Sequence, residues 1–332
     1  IIIDEAHERT LNIDFILGLL QRALKGRADL RVIVSSATLN PTLFQKFFSH
    51  LGKDVPVVSV QSRPFPVKIR WRPERGGYQE LIESVCWTVE QIEERGEEGD
   101  ILVFLSGAGP IRHCEDRLRQ LGLDRTCELL PLYGALTREE QERVFREFSG
   151  RRKVVLATNI AETGVTIPDV VFVIDAGRQR SMRYDPARRL SSLREEWIAR
   201  ANAKQRAGRA GRTAPGRCIR LYTEADLRAR PERLDPEIRR ADLASMSLAL
   251  VGLGAGPVIG VACGTVVTGG AQTHKKSRPP AHHRPPVGCD AGMNSWGGAI
   301  LGRRLELGIG AAARLGEICE AIVVVVRIAE VA

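Results

Sequence analysis

The sequence predicts an α/β protein built on doubly wound parallel sheets, and two observations lead to this prediction. Short runs that are almost continuous in Val, Ile and Leu recur along the chain, as expected for strands buried on both faces of a parallel sheet. Segments with helical periodicity separate these runs, and that alternation is typical of parallel strands covered by helices. The chain has 332 residues, 43% of them apolar and 27% charged, which is enough for two such domains.

The predicted elements follow one another in a regular order. After the apolar start of "IIIDEAHERT", the strand-like runs are "LRVIVSSAT" at 30–38, "DILVFLS" at 100–106, "KVVLATN" at 153–159 and "DVVFVIDAG" at 169–177. Helices are predicted at 78–95 and 137–148. The second of these begins with Thr137 and Glu140, whose spacing is that of a capping box.

Two segments interrupt this order. Three prolines in "SRPFPVKIRWRP" at 62–73 indicate a linker between two domains. Residues 254–298 contain 10 Gly and 5 Pro, so this part of the chain cannot readily bury a core and is expected to be flexible or foreign sequence. The run "AIVVVVRIA" at 321–329 could form a short strand, but the sequence offers no partner for it.

Composition excludes several classes of protein. No apolar run approaches the roughly 18 residues of a membrane span, and no signal-like segment occurs at the amino end. The seven cysteines include no C-x-x-C pair, which argues against a zinc site or a disulfide framework. We therefore expect an intracellular protein without a membrane partner, in the nucleus or the cytoplasm.

Positive charge is concentrated in one stretch. The formal net charge is +9, and residues 178–220 carry 13 Lys and Arg against 3 Asp and Glu. A polyanion is one partner for such a stretch, and an ordinary solvated basic surface is the alternative.

Polar residues follow the predicted strands. Because ligands of open α/β sheets bind at the carboxyl ends of strands, these residues are candidates for a site: Asp4, Glu5, Ser36, Thr38, Ser106, Thr158 and Asn159. Asp4 suits Mg²⁺, and Glu5 suits the positioning or deprotonation of a hydrolytic water. An ordinary strand-to-helix turn capped by Asp4 is the alternative.

A glycine-interrupted arginine segment, "QRAGRAGRT" at 205–213, adds a second set of candidates. On a helix, Gln205, Arg209 and Arg212 would share one face and Arg206 would point elsewhere. Gly208 and Gly211 would cost this helix about 2 kcal/mol relative to Ala, which indicates a close approach of the backbone to another group. Two guanidinium groups on one face are suited to neutralising the charge of a phosphate chain.

These motifs together resemble the DEAH-box RNA helicases. The matching segments are "DEAH" at 4–7, "SAT" at 36–38, "ILVFLSG" at 101–107, "LPLYGALTREEQERVF" at 130–145, "VVLATNIAETGVTIPDVVFVIDAG" at 154–177 and "QRAGRAGR" at 205–212. They occur in the order and approximate spacing of that family over about 250 residues. The resemblance implies tandem RecA-like domains, RNA as the partner, and ATP or another NTP with Mg²⁺ as cofactors.

The resemblance also implies roles for the nucleotide site. Asp4 would bind Mg²⁺, Glu5 would act on the attacking water and reach Mg²⁺ through water, and His7 would couple to Gln205 across a cleft. Arg209 and Arg212 would contact the phosphates, with Arg212 as an arginine finger. Phe145 would stack on the nucleotide base, although its spacing with Val144 and Phe148 equally fits a core face.

For RNA, the resemblance implies contacts and a coupling set. Ser36 and Thr38 would relay the ATP state, and the other members of the set are Ser106, Thr158, Asn159, Asp169, Arg178, Arg180 and Arg183. The segment 177–198, with "DPA" at its centre, is predicted to be a β-hairpin beside the RNA. Such contacts would follow the phosphate backbone without reading sequence.

The family pattern is not complete in this sequence. No G-x-x-x-x-G-K-[ST] loop occurs, and "GAQTHKKS" at 270–277 is only a near miss. The predicted domains are the back half of a first RecA-like domain at 1–62, a second at 63–228, the start of a winged helix at 229–253 and an unrecognised tail at 254–332. We expect a truncated sequence that is inactive alone. Gly164 also stands where many members have serine.

Two functions remain open from the sequence. The first is an ATP-dependent RNA helicase or remodelling translocase that moves 3′ to 5′. The alternative is a non-catalytic RNA-binding or interaction module derived from such an enzyme. A DNA helicase is a weaker third possibility, because the DEAH tetrapeptide together with the segment at 154–177 resembles the RNA enzymes.

Overall fold

The computed structural model describes residues 1–37, 41–49, 51–52, 55–62, 65–74, 76–163, 166–252 and 322–329. Most of these residues build two parallel sheets and the helices that cover them. The helices are α1 (Leu11–Gly26), α2 (Pro41–Ser49), α3 (Tyr78–Glu94), α4 (Ala108–Gln120), α5 (Arg138–Glu142), α6 (Arg200–Ala207), α7 (Glu224–Ala229) and α8 (Ala244–Gly252). Among the residues described, no helix combines the length and apolar character needed to cross a membrane.

The first sheet has four parallel strands. Its spatial order is β1 (Ile2–Ile3), β2 (Val32–Ser36), β12 (Ile322–Ala329) and β3 (Val57–Ser62). The strand β12 answers the question of a partner for the apolar run at 321–329, because it pairs with β2 on one side and with β3 on the other. The sequence offered no partner because both neighbours lie more than 250 residues earlier in the chain.

The second sheet has six parallel strands. Its spatial order is β4 (Val67–Trp71), β11 (Gly216–Arg220), β8 (Val170–Asp175), β5 (Asp100–Phe104), β7 (Arg152–Ala157) and β6 (Cys127–Leu132). A separate antiparallel hairpin consists of β9 (Arg178–Asp185) and β10 (Leu190–Trp197). The hairpin predicted at 177–198 is therefore present.

Both faces of the second sheet are buried, which makes it doubly wound. Ile101 and Val103 of β5 pack into a core with α3 and α4, whereas Leu102 and Phe104 point to a second core on the opposite face. All four side chains are at most 1% exposed. This alternation explains why the strand reads as a continuous apolar run.

The segment at 62–73 differs from the linker predicted from its three prolines, because its residues 67–71 form the edge strand β4. The three prolines lie before and after this strand and do not interrupt it. The helix predicted at 137–148 is also shorter. It begins with the predicted capping box, in which the Glu140 amide donates to Thr137 Oγ1, but α5 ends at Glu142 and a 3₁₀ turn follows at Arg143–Phe145.

We call the first sheet with α1 and α2 the first lobe, and the second sheet with the helices that cover it the second lobe. The segment that follows the second sheet contacts the first lobe again. The Leu11 amide donates to the Glu237 carboxylate (2.8 Å), and the Glu237 amide donates to the Arg9 carbonyl (3.1 Å). Within the segment 229–253, predicted to be the start of a winged helix, the structure has a 3₁₀ turn at Glu237–Arg239 and the helix α8. The near-miss loop at 270–277 lies outside the described residues.

Candidate functional site

The polar residues predicted at strand ends lie at the carboxyl edges of their sheets. Asp4 and Glu5 follow β1, and Ser36 ends β2 in a buried position. In the second sheet, Ser106 follows β5 and is buried, and Thr158 with exposed Asn159 follows β7. Thr38 lies outside the described residues.

The acidic turn after β1 holds two carboxylates in a fixed arrangement. Glu5 and Arg9 have φ values of 52° and 50°, so left-handed residues flank the 3₁₀ turn Ala6–Glu8. Such a conformation is unusual for residues other than glycine and is typical of functional turns. The Glu5 amide donates to Asp4 Oδ1 (2.9 Å), and Ala6 is fully buried and anchors the turn.

His7 connects this turn to the second lobe. Its Nδ1 accepts from the Ala37 amide (3.2 Å), and its Nε2 lies 2.5 Å from Nε2 of Gln205. Burial lowers the pKa of His7, so the imidazole is neutral and carries its proton on Nε2. Two donors cannot face each other, so the side-chain amide of Gln205 is turned by 180° to present its oxygen to this proton. His7 then donates and Gln205 accepts.

The arginine segment differs from the single helix face predicted for it. The helix α6 contains Gln205 but ends at Ala207, and turns at 208–213 carry Arg209 and Arg212. The close approach predicted from the glycines exists at Gly211, where a Cβ would lie 2.5 Å from the Phe65 carbonyl oxygen. The neighbour is the chain leading into β4 rather than a ligand, so packing explains this glycine.

Arg209 is held at the cleft in a largely dehydrated position. Its side chain donates to the Glu162 carbonyl, and only 9% of the residue is exposed. Burial, followed by the positive charge of Arg212, lowers the pKa of Arg209 to about 9, whereas the charge of Glu5 opposes that shift. Because the charge of Arg212 destabilises the charged form of Arg209, an anion that bound between the two guanidinium groups would be stabilised by both.

One further contact joins the acidic turn to the part of the chain that forms the second sheet, because Thr163 donates to the Glu8 carboxylate. Together with the contact between His7 and Gln205, this bond brings the acidic turn against the arginine segment. Arg212 is exposed and donates to Thr166 Oγ1, a residue on its own side of the cleft.

Arg206 is the residue whose importance the sequence does not reveal. Its side chain is fully buried, with Nε 3.1 Å from Glu162 Oε2 and Nη1 2.9 Å from Asp175 Oδ1. Asp175 also accepts from the Tyr222 hydroxyl (2.7 Å) and the Gly177 amide (2.9 Å). The one available signal was an acidic residue at the end of the apolar strand β8, since a buried carboxylate needs a cation.

Phe145 and Asp169 occupy different surroundings. Val144 is fully buried in the second core, whereas Phe145 is 37% exposed, so Phe145 is not part of a core face. Asp169 immediately precedes β8 and therefore lies at the amino edge of the sheet. Its φ of 62° is left-handed. The structure therefore does not bring Asp169 together with the strand-end residues.

The hairpin distributes its arginines over two faces. Arg178 and Arg180 share one face of β9, because they are two residues apart on the strand, and Arg183 lies on the other face. Arg178 forms an ion pair with Glu195 (3.1 Å), and Arg183 with Glu196 (2.7 Å). Arg180 lies across Gly107, where an added Cβ would be 3.4 Å from its Cζ.

Asp4 and Glu5 fit the chemistry of a magnesium site. Mg²⁺ prefers carboxylate oxygens, keeps several of its waters and needs only one or two protein carboxylates. The Asp4 side chain is exposed to solvent, and Glu5 is partly exposed. Within the described ranges, no group of three or more His, Cys, Asp or Glu side chains could hold a metal ion. A two-carboxylate site is therefore the one that this turn can form.

A six-stranded parallel sheet whose arginine segment faces an acidic turn on a neighbouring lobe defines the C-terminal domain of a helicase. Residues 80–214 match the family model described as "Helicase conserved C-terminal domain". The match lies within the second sheet and its helices.

Relatives and solved structures agree with this class. The chain is 45% identical over 266 residues to the ATP-dependent RNA helicase HrpA of Escherichia coli K12, covering 78% of this chain and 20% of the relative. It is 42% identical over 267 residues to the probable ATP-dependent RNA helicase DHX34 of Mus musculus, covering 77% and 23%. The crystal structure of the Escherichia coli DEAH/RHA helicase HrpB matches with a TM-score of 0.67 at 34% identity, covering 76% and 32%.

The chain belongs to the DEAH/RHA helicase family. It spans 20% and 23% of the lengths of HrpA and DHX34, respectively.

Proposed function

We propose that this chain carries part of the motor of an ATP-dependent RNA helicase, which couples NTP hydrolysis to 3′-to-5′ movement on RNA. The observation that carries the proposal is the contact between His7 and Gln205, which connects the acidic turn to the arginine segment. Residues from two separate sheets would then respond to one nucleotide, and that arrangement suits a motor whose lobes move relative to each other.

The residues at the cleft have complementary tasks in hydrolysis. Glu5 would orient and deprotonate the attacking water, since its carboxylate is partly exposed beside His7, with Oε2 3.5 Å from Nδ1. Arg209 and Arg212 would stabilise the negative charge that develops on the transferred phosphoryl group. Asp4 would hold Mg²⁺, which neutralises phosphate charge when it is bound. Phe145, exposed on its 3₁₀ turn, would stack on the nucleotide base.

RNA would bind along the carboxyl edge of the second sheet. Ser106, Thr158 and Asn159 offer donors there, and Arg180 brings a positive charge over Gly107, the residue after Ser106. Ser36 and Thr38 would couple the nucleotide to this grip. Contacts of this kind hold the phosphate backbone without selecting sequence.

The sequence of residues 1–332 has no G-x-x-x-x-G-K-[ST] loop, so a polypeptide of these residues alone is expected to bind ATP weakly and not to turn it over. This feature favours a second candidate for that polypeptide, namely an RNA-binding module without catalysis.

A chimera separates the two candidates. The segment of Escherichia coli HrpA that precedes its region of similarity to this chain is joined to residues 1–332, so that β12 is kept, and phosphate release is measured with and without single-stranded RNA. We expect RNA-stimulated release that falls by on the order of 10² or more in Glu5→Gln, because the general base is lost. RNA binding without any turnover would support the binding module, and failure to bind RNA would overturn both.

A further inference from the structure

An exposed aromatic pair lies at the start of α3 and is not explained by the fold or by the hydrolytic site. Tyr78 is the first residue of α3 and is 41% exposed. Its hydroxyl lies 2.8 Å from Nδ1 of His113 on α4, and the two rings meet edge to face with centroids 5.7 Å apart. Burial of the phenol, followed by the charge of Glu195, raises the pKa of Tyr78, so the hydroxyl stays protonated and shares a hydrogen bond with His113.

This pair lies close to the proposed RNA contacts. Gly107 immediately precedes α4, and His113 lies six residues further along the chain, which corresponds to about 9 Å along the helix. Arg180 of the hairpin crosses Gly107, and its charge also acts on the Tyr78 phenol. The aromatic pair of Tyr78 and His113 therefore lies about one and a half helical turns from Arg180 and Ser106, the two residues that would hold RNA phosphates.

The local charges permit a nucleic acid to approach. Glu195 is the acidic residue that acts on Tyr78, and its carboxylate is already paired with Arg178 at 3.1 Å. The Glu80 carboxylate accepts from the Gly77 amide (2.9 Å) and so caps α3. Because Glu195 is neutralised by Arg178, the positive charge of Arg180 is not cancelled beside the rings.

We propose that Tyr78, held by His113, is a stacking platform for one unpaired base of single-stranded RNA whose phosphates are held by Ser106 and Arg180. The proposal rests on the proposed function, because it names a further subsite of the same RNA path. Stacking on an aromatic ring accepts any base, which matches backbone contacts that read no sequence. His113 fixes the ring in place, so little side-chain freedom is lost when a base stacks on it.

The test compares Tyr78→Ala with Tyr78→Phe in the full chain of 332 residues. Binding of fluorescein-labelled single-stranded RNA is measured by anisotropy, with one oligonucleotide of ordinary nucleotides and one in which every base is absent. We expect Tyr78→Ala to weaken binding of the ordinary RNA about tenfold and to leave binding of the abasic RNA unchanged. Tyr78→Phe keeps the ring and should retain affinity for both.

Trp87→Ala is the matched control. Trp87 is the other exposed aromatic residue on α3, but it lies nine residues further along, on the opposite side of the helix, with the Arg72 guanidinium 3.3 Å from its ring centre. The variant Trp87→Ala should bind RNA with unchanged affinity. Thermal unfolding verifies that all variants are folded.

Each other outcome has a definite meaning. Equal losses in Tyr78→Ala and Tyr78→Phe would show that the hydroxyl only fastens α3 to α4, which would overturn the platform. RNA binding by the parent with no loss in Tyr78→Ala would also overturn the platform but leave the proposed function intact. If the parent bound neither RNA, the proposed function itself would fail for this chain, and the platform with it.

Discussion

Arg206 and Asp175 form an ion pair in which both side chains are inaccessible to solvent, with Nη1 of the arginine 2.9 Å from Oδ1 of the aspartate. Burial alone would lower the pKa of Arg206, but the charges of Asp175 and Glu162 more than offset it, so the net shift is upward. Arg206 Nη1 also approaches the Arg178 carbonyl oxygen (3.3 Å) at the base of the hairpin. One buried side chain thus connects the hairpin, β8 and the helix that carries Gln205.

Arg206→Met should destabilise the protein by about 3–5 kcal/mol, because Asp175 and Glu162 would remain buried without a counter-charge. The free energy of unfolding in urea measures this loss. Arg228→Ala provides the control, since Arg228 pairs with Glu224 within one exposed helix turn and its loss should cost less than about 0.5 kcal/mol. A loss below about 1 kcal/mol in Arg206→Met would contradict the importance assigned to the buried pair.

The contribution of His7 to stability should depend on pH. Burial lowers the pKa of His7 in the folded state, whereas the unfolded chain titrates near 6.5. The folded state therefore binds fewer protons, so this contribution is complete above about pH 6.5 and is lost as the pH falls. His7→Asn can still accept from the Ala37 amide but does not titrate. The difference in unfolding free energy between the two proteins should shrink between about pH 7.5 and 5.5, and parallel curves would contradict the assignment.

The hairpin arginines should contribute unequally to the salt dependence of RNA binding. Arg180→Gln should reduce the slope of log affinity against log salt by about 0.7, the value for one neutralised phosphate on a single strand. Arg183→Gln should reduce it less, because Arg183 is already paired with Glu196 at 2.7 Å. If the two losses were reversed, the face bearing Arg180 would not be the one that meets RNA.

Arg212→Ala in the HrpA chimera should lower RNA-stimulated turnover by roughly 10³ if Arg212 is the arginine finger. Arg212→Lys should recover only part of this activity, since an ammonium group lacks the planar fork of donors. Arg119→Ala is a suitable control, because Arg119 pairs with Glu115 on the exposed side of α4. Unchanged turnover in Arg212→Ala would show that Arg212 is not the arginine finger.

Four cysteines should be unreactive in the folded protein. Cys86, Cys114, Cys127 and Cys218 are buried, and burial raises the pKa of Cys127 to about 11 and that of Cys218 to about 12. Since the thiolate is the reactive form, iodoacetamide at neutral pH should leave these four unmodified until urea unfolds the chain. Mass spectrometry of the labelled peptides measures this, and rapid native labelling of Cys218 would contradict the core packing around β11.

The strands β5, β7 and β8 of the second sheet could be predicted because each is buried on both faces, and its apolar run therefore carries the signal by itself. The edge strand β4 was not predicted, since prolines stand on both sides of its five residues and are typical of a linker, and β6 and β11 were not predicted either. Likewise, the partners of β12 could not be predicted, because pairing between distant segments leaves no local pattern.

For the candidate site, the structure tests the predicted geometry, and the roles of the residues stay predictions. The motif residues His7 and Gln205 do meet, as the resemblance implied. The arrangement of Arg209 and Arg212 was wrong, because helical spacing was extended through two glycines beyond the end of α6 at Ala207. Arg206 lies within α6 and points away from the face of Gln205, as helical spacing predicts, but this spacing does not reveal that it makes the most deeply buried ionic contacts of the segment.

The position of β12 constrains the order in which the protein can fold during synthesis. Residues 1–62 leave the ribosome before the rest of this sequence, but the sheet they form needs Val323 beside Ile33 and Val324 beside Val57 before it is continuous. All strands of the second sheet lie between residues 67 and 220, so the second sheet can form before residues 322–329 are made. Until β12 arrives, β2 and β3 would expose unpaired backbone edges, which makes the first sheet the slower of the two to close and the one more in need of protection from aggregation.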